Sequence, residues 1–174
     1  MKLSGQLGLQ RQIFFCSIGG FDTHTGQGVT SGTQPGLLAT VSEAMGALYD
    51  ATVELGIASQ VTTFTMSDFS RTLTPAVGSG TGAGSDHAWG SHHVVVGGAV
   101  AGGDFYGTFP ILVPNGPDDA DSGTTARGRW IPTIAVDQYA ATLALWLGVS
   151  PGDLPAAFPN IGQFATPNLG FLAG

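Results

Sequence analysis

A strand, helix, strand pattern in the first third of the chain does most to limit what it can fold into. Residues 12–18, Gln-Ile-Phe-Phe-Cys-Ser-Ile, are a short apolar run rich in β-formers that closes on Gly19-Gly20, the signature of a strand buried on both faces. Residues 25–36 hold Gly, Thr, Gln, Ser and Pro with almost no apolar content and read as loop. From Pro35 the period changes. Leu37, Leu38, Val41, Met45, Leu48, Tyr49 and Thr52 share one helical face, Ser42, Glu43, Asp50 and Glu54 fall outside it, and Gly56 stands where a carboxyl cap is expected. Residues 61–66 are again a strand by β-branched content. Such a unit has a right-handed crossover and parallel strands. The expected fold class is therefore α/β, a mostly parallel sheet with flanking helices. The expected domain is single and spans 1–174, with its core in 12–148 and an irregular tail over 149–174.

Parallel strands end on one edge of the sheet, and open α/β sheets bind ligands there. Asp22 and His24, in Gly19-Gly20-Phe21-Asp22-Thr23-His24, follow the first strand, while Ser67-Asp68-Phe69-Ser70-Arg71-Thr72 follows the second. A third polar stretch, Ser85-Asp86-His87-Ala88-Trp89-Gly90-Ser91-His92-His93, carries three of the four histidines within seven residues. Imidazole is the commonest transition-metal ligand and titrates near neutrality, so two Asp/His islands in a chain with only 10% charged residues point to one polar site.

The expected metal ligands are Asp22, His24 and His87, with Asp86 beside them. Mixed imidazole and carboxylate donors suit zinc or manganese, whereas calcium requires more oxygens. Such an ion lowers the pKa of a bound water or polarises an ester oxygen. Asp68 or His92 is the expected proton acceptor and Arg71 the contact for an anionic group. Neighbours on an extended chain face opposite ways, so His92 and His93 are not expected to reach one ion together. Thr23, Ser67 and Ser85 lie near the islands but lack the Gly-x-Ser-x-Gly elbow of a nucleophile, and read as loop hydrogen-bonders.

Farther along, the glycine-rich residues 74–86 lack the Gly-x-x-x-x-Gly-Lys-Ser/Thr spacing of a phosphate loop. Residues 93–98 form a third strand, and residues 104–130 are irregular. Within them Asp118, Asp119 and Asp121 make an acidic turn without the glycine and terminal glutamate of an EF-hand. A second helix is expected over 137–147, capped by Asp137 and closed by Gly148, with Tyr139, Leu143, Trp146 and Leu147 facing the core.

Composition narrows the partners. The net charge is −7, and the five Lys and Arg never cluster along the chain, which disfavours nucleic acid and anionic membrane surfaces. A single cysteine, Cys16, excludes an internal disulfide and reads as a buried, inert thiol within its apolar run. No apolar stretch has the length of a membrane span, and the amino-terminal residues lack the hydrophobic run of a signal peptide. With so few charges, homo-oligomerisation is expected.

The succession Gly-Gly-Phe-Asp-Thr-His, amphipathic helix, Phe-Thr-Met-Ser-Asp-Phe-Ser-Arg-Thr, Gly-Ser-Asp-His-Ala-Trp-Gly, Val-Val-Gly-Gly-Ala-Val-Ala-Gly-Gly and Val-Asp-Gln-Tyr-Ala-Ala-Thr-Leu, over residues 10–160, resembles the DUF1501 family. That family is similar in turn to the alkaline phosphatase and sulfatase superfamily. The resemblance implies the carboxyl-terminal part of a three-layer fold, and one metal held by Asp22, His24 and His87. The place of a second metal reads Ser67-Asp68-Phe69, without that superfamily's histidine. The superfamily's nucleophile lies on a strand preceding the matched region, which implies either that the chain is the carboxyl-terminal part of a longer enzyme or that it reacts through metal-bound water without a covalent intermediate. Family members are often exported. The expected function is hydrolysis of a small-molecule phosphate or sulfate ester by a divalent metal. The same site would also serve carboxylic esters or lactones, and the alternative is a non-catalytic binding or assembly module.

Overall fold

In the computed structural model, which describes residues 5–76 and 82–173, helix α1 runs Thr33–Glu54. The middle of the glycine-rich stretch, residues 77–81, lies outside the described residues. Pro35 falls in the first turn of α1, where its missing N–H is not needed. At the other end Leu55 N–H reaches the Ala51 carbonyl at 3.1 Å and Gly56 N–H that of Val53 at 3.0 Å. Gly56 takes φ +69°, a left-handed conformation open to glycine without the usual Cβ clash. The helix is where its periodicity puts it, yet its apolar face is poorly covered. Thr52 alone is fully buried, while Leu38, Leu48, Tyr49 and Val53 are exposed.

The sheet differs from expectation. Strand β1 (Thr62–Phe64) pairs with β4 (Val95–Gly97) antiparallel, Thr63 opposite Val96. Strand β2 (Ser70–Arg71) pairs with β3 (His87–Ala88), also antiparallel, Arg71 opposite His87. Two small antiparallel ribbons replace the mostly parallel, three-layer α/β sheet, and the alkaline-phosphatase-like fold is not formed. The reason lies in residues 12–18. They are anchored at one end, by Arg11 Nε on the Leu147 carbonyl at 2.5 Å. Beyond that anchor the run makes no backbone hydrogen bond among the described residues, so β1 has no parallel neighbour. Ile13, Phe14, Phe15 (90% exposed) and Ile18 face solvent, as does Cys16, which is not the buried thiol expected.

Helix α2 (Val136–Leu147) begins one residue before the expected start, with Ala135 rather than Asp137 at the cap position. Gln138 Oε1 accepts the Ala135 N–H at 3.1 Å, and Asp137 lies in the first turn, where a negative charge complements the helix dipole. Its most buried face is Gln138, Ala141 and Thr142, while Tyr139, Leu143, Trp146 and Leu147 are half-buried. The stripe is rotated because its cover is the tail. Ala141 packs with Leu154, on the short helix α3 (Leu154–Ala157), and with Ile161, surrounded by Leu145, Val149, Phe158 and Phe164. Four of the five buried apolar residues described (Leu154, Ile161, Phe171, Leu172) come from the stretch expected to be irregular. The tail then returns to residues 99–101, with Ala101 N–H on the Phe171 carbonyl and Ala173 N–H on that of Ala99.

The accessible surface is 11145 Å². A compact monomer of this 17.6 kDa mass would expose roughly 7,900 Å². Exposed large apolar side chains lie on the 12–18 run, on α1 and in residues 105–113.

Thr142, 2% exposed, ties α2 to the tail: its hydroxyl donates to the Gln138 carbonyl and accepts the Leu169 N–H, each at 2.9 Å. Thr142→Val keeps the shape and removes the acceptor. The expected loss is about 1–3 kcal/mol for a buried N–H left without a partner, read as a lower urea midpoint at unchanged slope. An unchanged midpoint would show that this bond does not hold the tail.

Candidate metal centre

The two islands meet because Gly84 has no side chain. A Cβ there would lie 2.0 Å from the carbonyl carbon of His24, so only glycine lets the two backbones touch. Around that contact Gly26 N–H bonds the Gly82 carbonyl at 3.1 Å, Gln27 N–H that of Ala83 at 3.0 Å, and Ser85 N–H that of Thr23 at 3.2 Å. On its other side the same stretch accepts Thr72 N–H at Asp86 and Ala76 N–H at Gly84, both 2.9 Å, continuing the β2–β3 pairing. Residues 82–88 thus lie between the loop bearing Asp22 and His24 and the strand bearing Arg71.

Asp22 Oδ1 is the focus. It lies 2.9 Å from His24 Nε2, 2.8 Å from His87 Nε2 and 2.8 Å from Arg71 Nη1. The Asp22 carboxyl is held below its usual range, first by the hydrogen bond from His87 and next by that from Arg71; desolvation opposes them and the charge of His24 adds to the lowering. His87 is stacked face to face on Phe69, ring centroids 4.0 Å apart. Ligand atoms of Asp22, His24 and His87 all fall within 4.8 Å of one another. Tetrahedral ligands about 2.1 Å from zinc are about 3.4 Å apart, and the two Asp22–histidine separations, 2.9 and 2.8 Å, lie about half an ångström inside that spacing. The residues present suit the group. Two hollows among the described residues lie away from this triad: one of about 250 Å³ is lined by residues such as Pro110, Asp118 and Ile131, the other by residues such as Ser59, Leu145 and Trp146.

Arg71 is only 11% exposed and each of its nitrogens has a protein partner. Nη1 holds Asp22, Nε donates to Ser85 Oγ at 3.0 Å, and Nη2 donates to the Ser85 carbonyl. Ser85, 4% exposed, donates in turn to Gln27 Oε1 at 2.5 Å. Arg71 is therefore a strut that orients Asp22. The other local hydroxyls are also committed, Thr23 to Gln34 and Ser67 to the Phe69 carbonyl.

Sequence reasoning missed Arg127 and Arg129. Both guanidiniums reach Asp86, Arg127 through Nη1 on Oδ2 and Arg129 through Nη2 at 3.8 Å. Arg129 also holds Asp121 at 2.7 Å and donates from Nε to the His87 carbonyl at 3.0 Å. Their loop is stapled by Asp119, whose carboxylate accepts the N–H groups of Asn115, Asp121, Gly128 and Arg129 at 2.9–3.0 Å. Desolvation pushes the Asp119 carboxyl up, and these four backbone bonds outweigh it and hold it low. The visible signal was Arg127-Gly128-Arg129 itself, two of five basic residues placed two apart in a loop of aspartates.

Other expected residues lie outside the triad. Asp68 is exposed and is not a member of the metal group. His92 stacks on Phe109 at 4.9 Å. His93 is 3.4 Å from Thr65 Oγ1 and stacks on Tyr139, its pKa lowered by burial and then by the nearby His92. Asp86 belongs to the cluster through its arginines and through His24 Nδ1, 3.6 Å from Oδ1.

A family model described as a protein of unknown function (DUF1501) matches residues 7–125. The chain belongs to the DUF1501 family. The matched span holds Asp22, His24, Arg71, Asp86, His87, Asp119 and Asp121, and stops just before Arg127. No curated protein and no solved structure matches this DUF1501 chain.

The Asp119 staple yields a pH signature. Its folded pKa lies below the unfolded value, so its stabilisation is present above the usual carboxylate pKa of about 4 and is lost as pH falls through the lower folded value. Asp119→Asn is expected to lower Tm at neutral pH, with the gap to wild type closing on acidification. A gap that stays constant below the carboxylate range would contradict the staple.

Proposed function

We propose that this DUF1501 protein is a metal-dependent hydrolase of anionic esters. The observation that carries the reading is the convergence of Asp22, His24 and His87, which would hold zinc or manganese and leave a fourth position open. An ion bound there supplies an activated water and polarises the ester. Arg71 fixes the carboxylate that faces the ion, and Phe69 fixes the plane of His87.

Charge selects the substrate class. Asp22 and Arg71 cancel, and Asp86 and Asp121 are matched by Arg127 and Arg129. With neutral imidazoles, a divalent ion therefore leaves the centre about two charges positive, inside a chain of net charge −7. Such a field stabilises a phosphate or sulfate ester and the negative charge that develops on its oxygens, and does less for a neutral carboxylic ester or lactone.

A second reading, an assembly module in which the metal is structural, is favoured by the exposed apolar run at 12–18. A structural site is closed by protein on all sides, whereas this one has three converging donors. The two readings separate on open positions, not on whether the chain associates.

The test is metal content by plasma mass spectrometry on protein purified without chelator or nickel resin, with His24→Ala and His87→Ala, followed by p-nitrophenyl phosphate, sulfate and acetate. About one equivalent of zinc or manganese is expected, lost in both variants, with phosphate or sulfate turned over in preference to acetate. A folded wild-type protein that takes up no metal overturns the reading.

A further inference from the structure

We propose, resting on that metal reading, that the centre takes one divalent ion and that Asp86 is not a ligand but the carboxylate that orients His24. His24 stands between two carboxylates, with Nε2 2.9 Å from Asp22 Oδ1 and Nδ1 3.6 Å from Asp86 Oδ1. By donor type alone an ion could sit on either side of the ring, and one on each side is equally open. The surroundings of the two carboxylates decide.

Around Asp22 Oδ1 two imidazole nitrogens and a single guanidinium converge. Around Asp86 two guanidiniums converge, and neither is free to leave. Arg127 is also held through Nη2 to the Ala76 carbonyl at 3.3 Å and through its backbone N–H to Asp121 at 3.1 Å. Arg129 is fixed by Asp121 and by the His87 carbonyl. An ion on Asp86 would face two guanidinium charges, Arg127 and Arg129, where one on Asp22 faces the single charge of Arg71, so repulsion between like charges weighs more heavily against the Asp86 side. It would also lack a full set of donors, since the Asp22/His24/His87 group is the only such cluster among the described residues.

Asp86 has a different use. A metal-bound imidazole is commonly held by an acceptor on its second ring nitrogen, which fixes its tautomer and plane. Asp86 Oδ1 occupies that position beside His24 Nδ1. The separation of 3.6 Å is too long for a hydrogen bond as it stands, and a small turn of the ring closes it. The arginines then do two things: they aim Asp86, and they disfavour a second ion.

The experiment is a zinc titration of chelator-stripped, full-length protein by calorimetry, with bound zinc counted after gel filtration. Wild type is expected to bind one equivalent. Asp86→Asn is expected to keep one equivalent with affinity weakened about 10–100-fold, whereas Asp22→Asn and His87→Ala lose it. Zinc bound by wild type as two equivalents, falling to one in Asp86→Asn, would overturn the single-ion inference while leaving the metal reading intact. Loss of all zinc in Asp86→Asn, or an unchanged affinity, would overturn the role given to Asp86. No zinc in wild type would sink the underlying reading instead. Should Asp86→Asn fail to fold, the Arg127→Gln/Arg129→Gln double variant decides: one equivalent with weakened affinity is expected once the groups that aim Asp86 are gone, and a second equivalent or an unchanged affinity would overturn the inference.

Discussion

The site rests on one close approach, the backbone of Gly84 lying on that of His24. With a Cβ at 84 the two loops would have to part, and the hydrogen bonds at residues 23, 26 and 27 would go with them. Those bonds place His24 and His87, far apart in sequence, on either side of Asp22. The contact is backbone to backbone, so its geometry does not depend on rotamers, and the Gln27, Ser85 and Arg71 side chains then lock it from beneath. A site built on loops needs such support, because loops otherwise lack the ladder that keeps side chains on strands and helices in place.

Charge is scarce in this chain, which makes its placement informative. Three of five basic residues converge on the three carboxylates Asp22, Asp86 and Asp121. Each ion pair at the rim is partly exposed and contributes little stability alone. Their joint effect is positional: Arg71 turns Asp22 toward the histidines, and Arg127 and Arg129 span from Asp86 to a loop that Asp119 has already made rigid. The acidic turn is thus a scaffold for two cations. Its carboxylates point inward to their own backbone, which is why it makes a poor calcium loop despite three aspartates in four residues.

What could be read from sequence follows the range of the interaction. Helix α1 and its glycine stop were legible because period and cap are local, and Asp22, His24 and His87 were legible because rare residue types fall in two islands. The partner of each strand was not. β-Branched content locates β1 at 62–64 but is silent on whether its neighbour is residues 12–18 or β4. The rotation of the buried stripe on α2 was illegible for the same reason, since Leu154 and Ile161, which set it, sit among prolines and glycines that look like loop. Arg127 and Arg129 escaped although they stand two apart in the chain, because two cations make no patch on their own and one of their partners, Asp86, lies about forty residues away.

The apolar run at 12–18 joins the fold to the chemistry. Phe14 and Phe15 point to opposite faces if the run is extended, and both are exposed, so its pattern asks for cover on two sides that the described residues do not supply. Arg11 holds one end of the run, and at the other Gly19-Gly20 lead directly into Phe21 and Asp22. The same short stretch thus passes from residues whose pattern asks for apolar cover to residues that need access to water and a ligand, and the two glycines between them add no side chain to either demand.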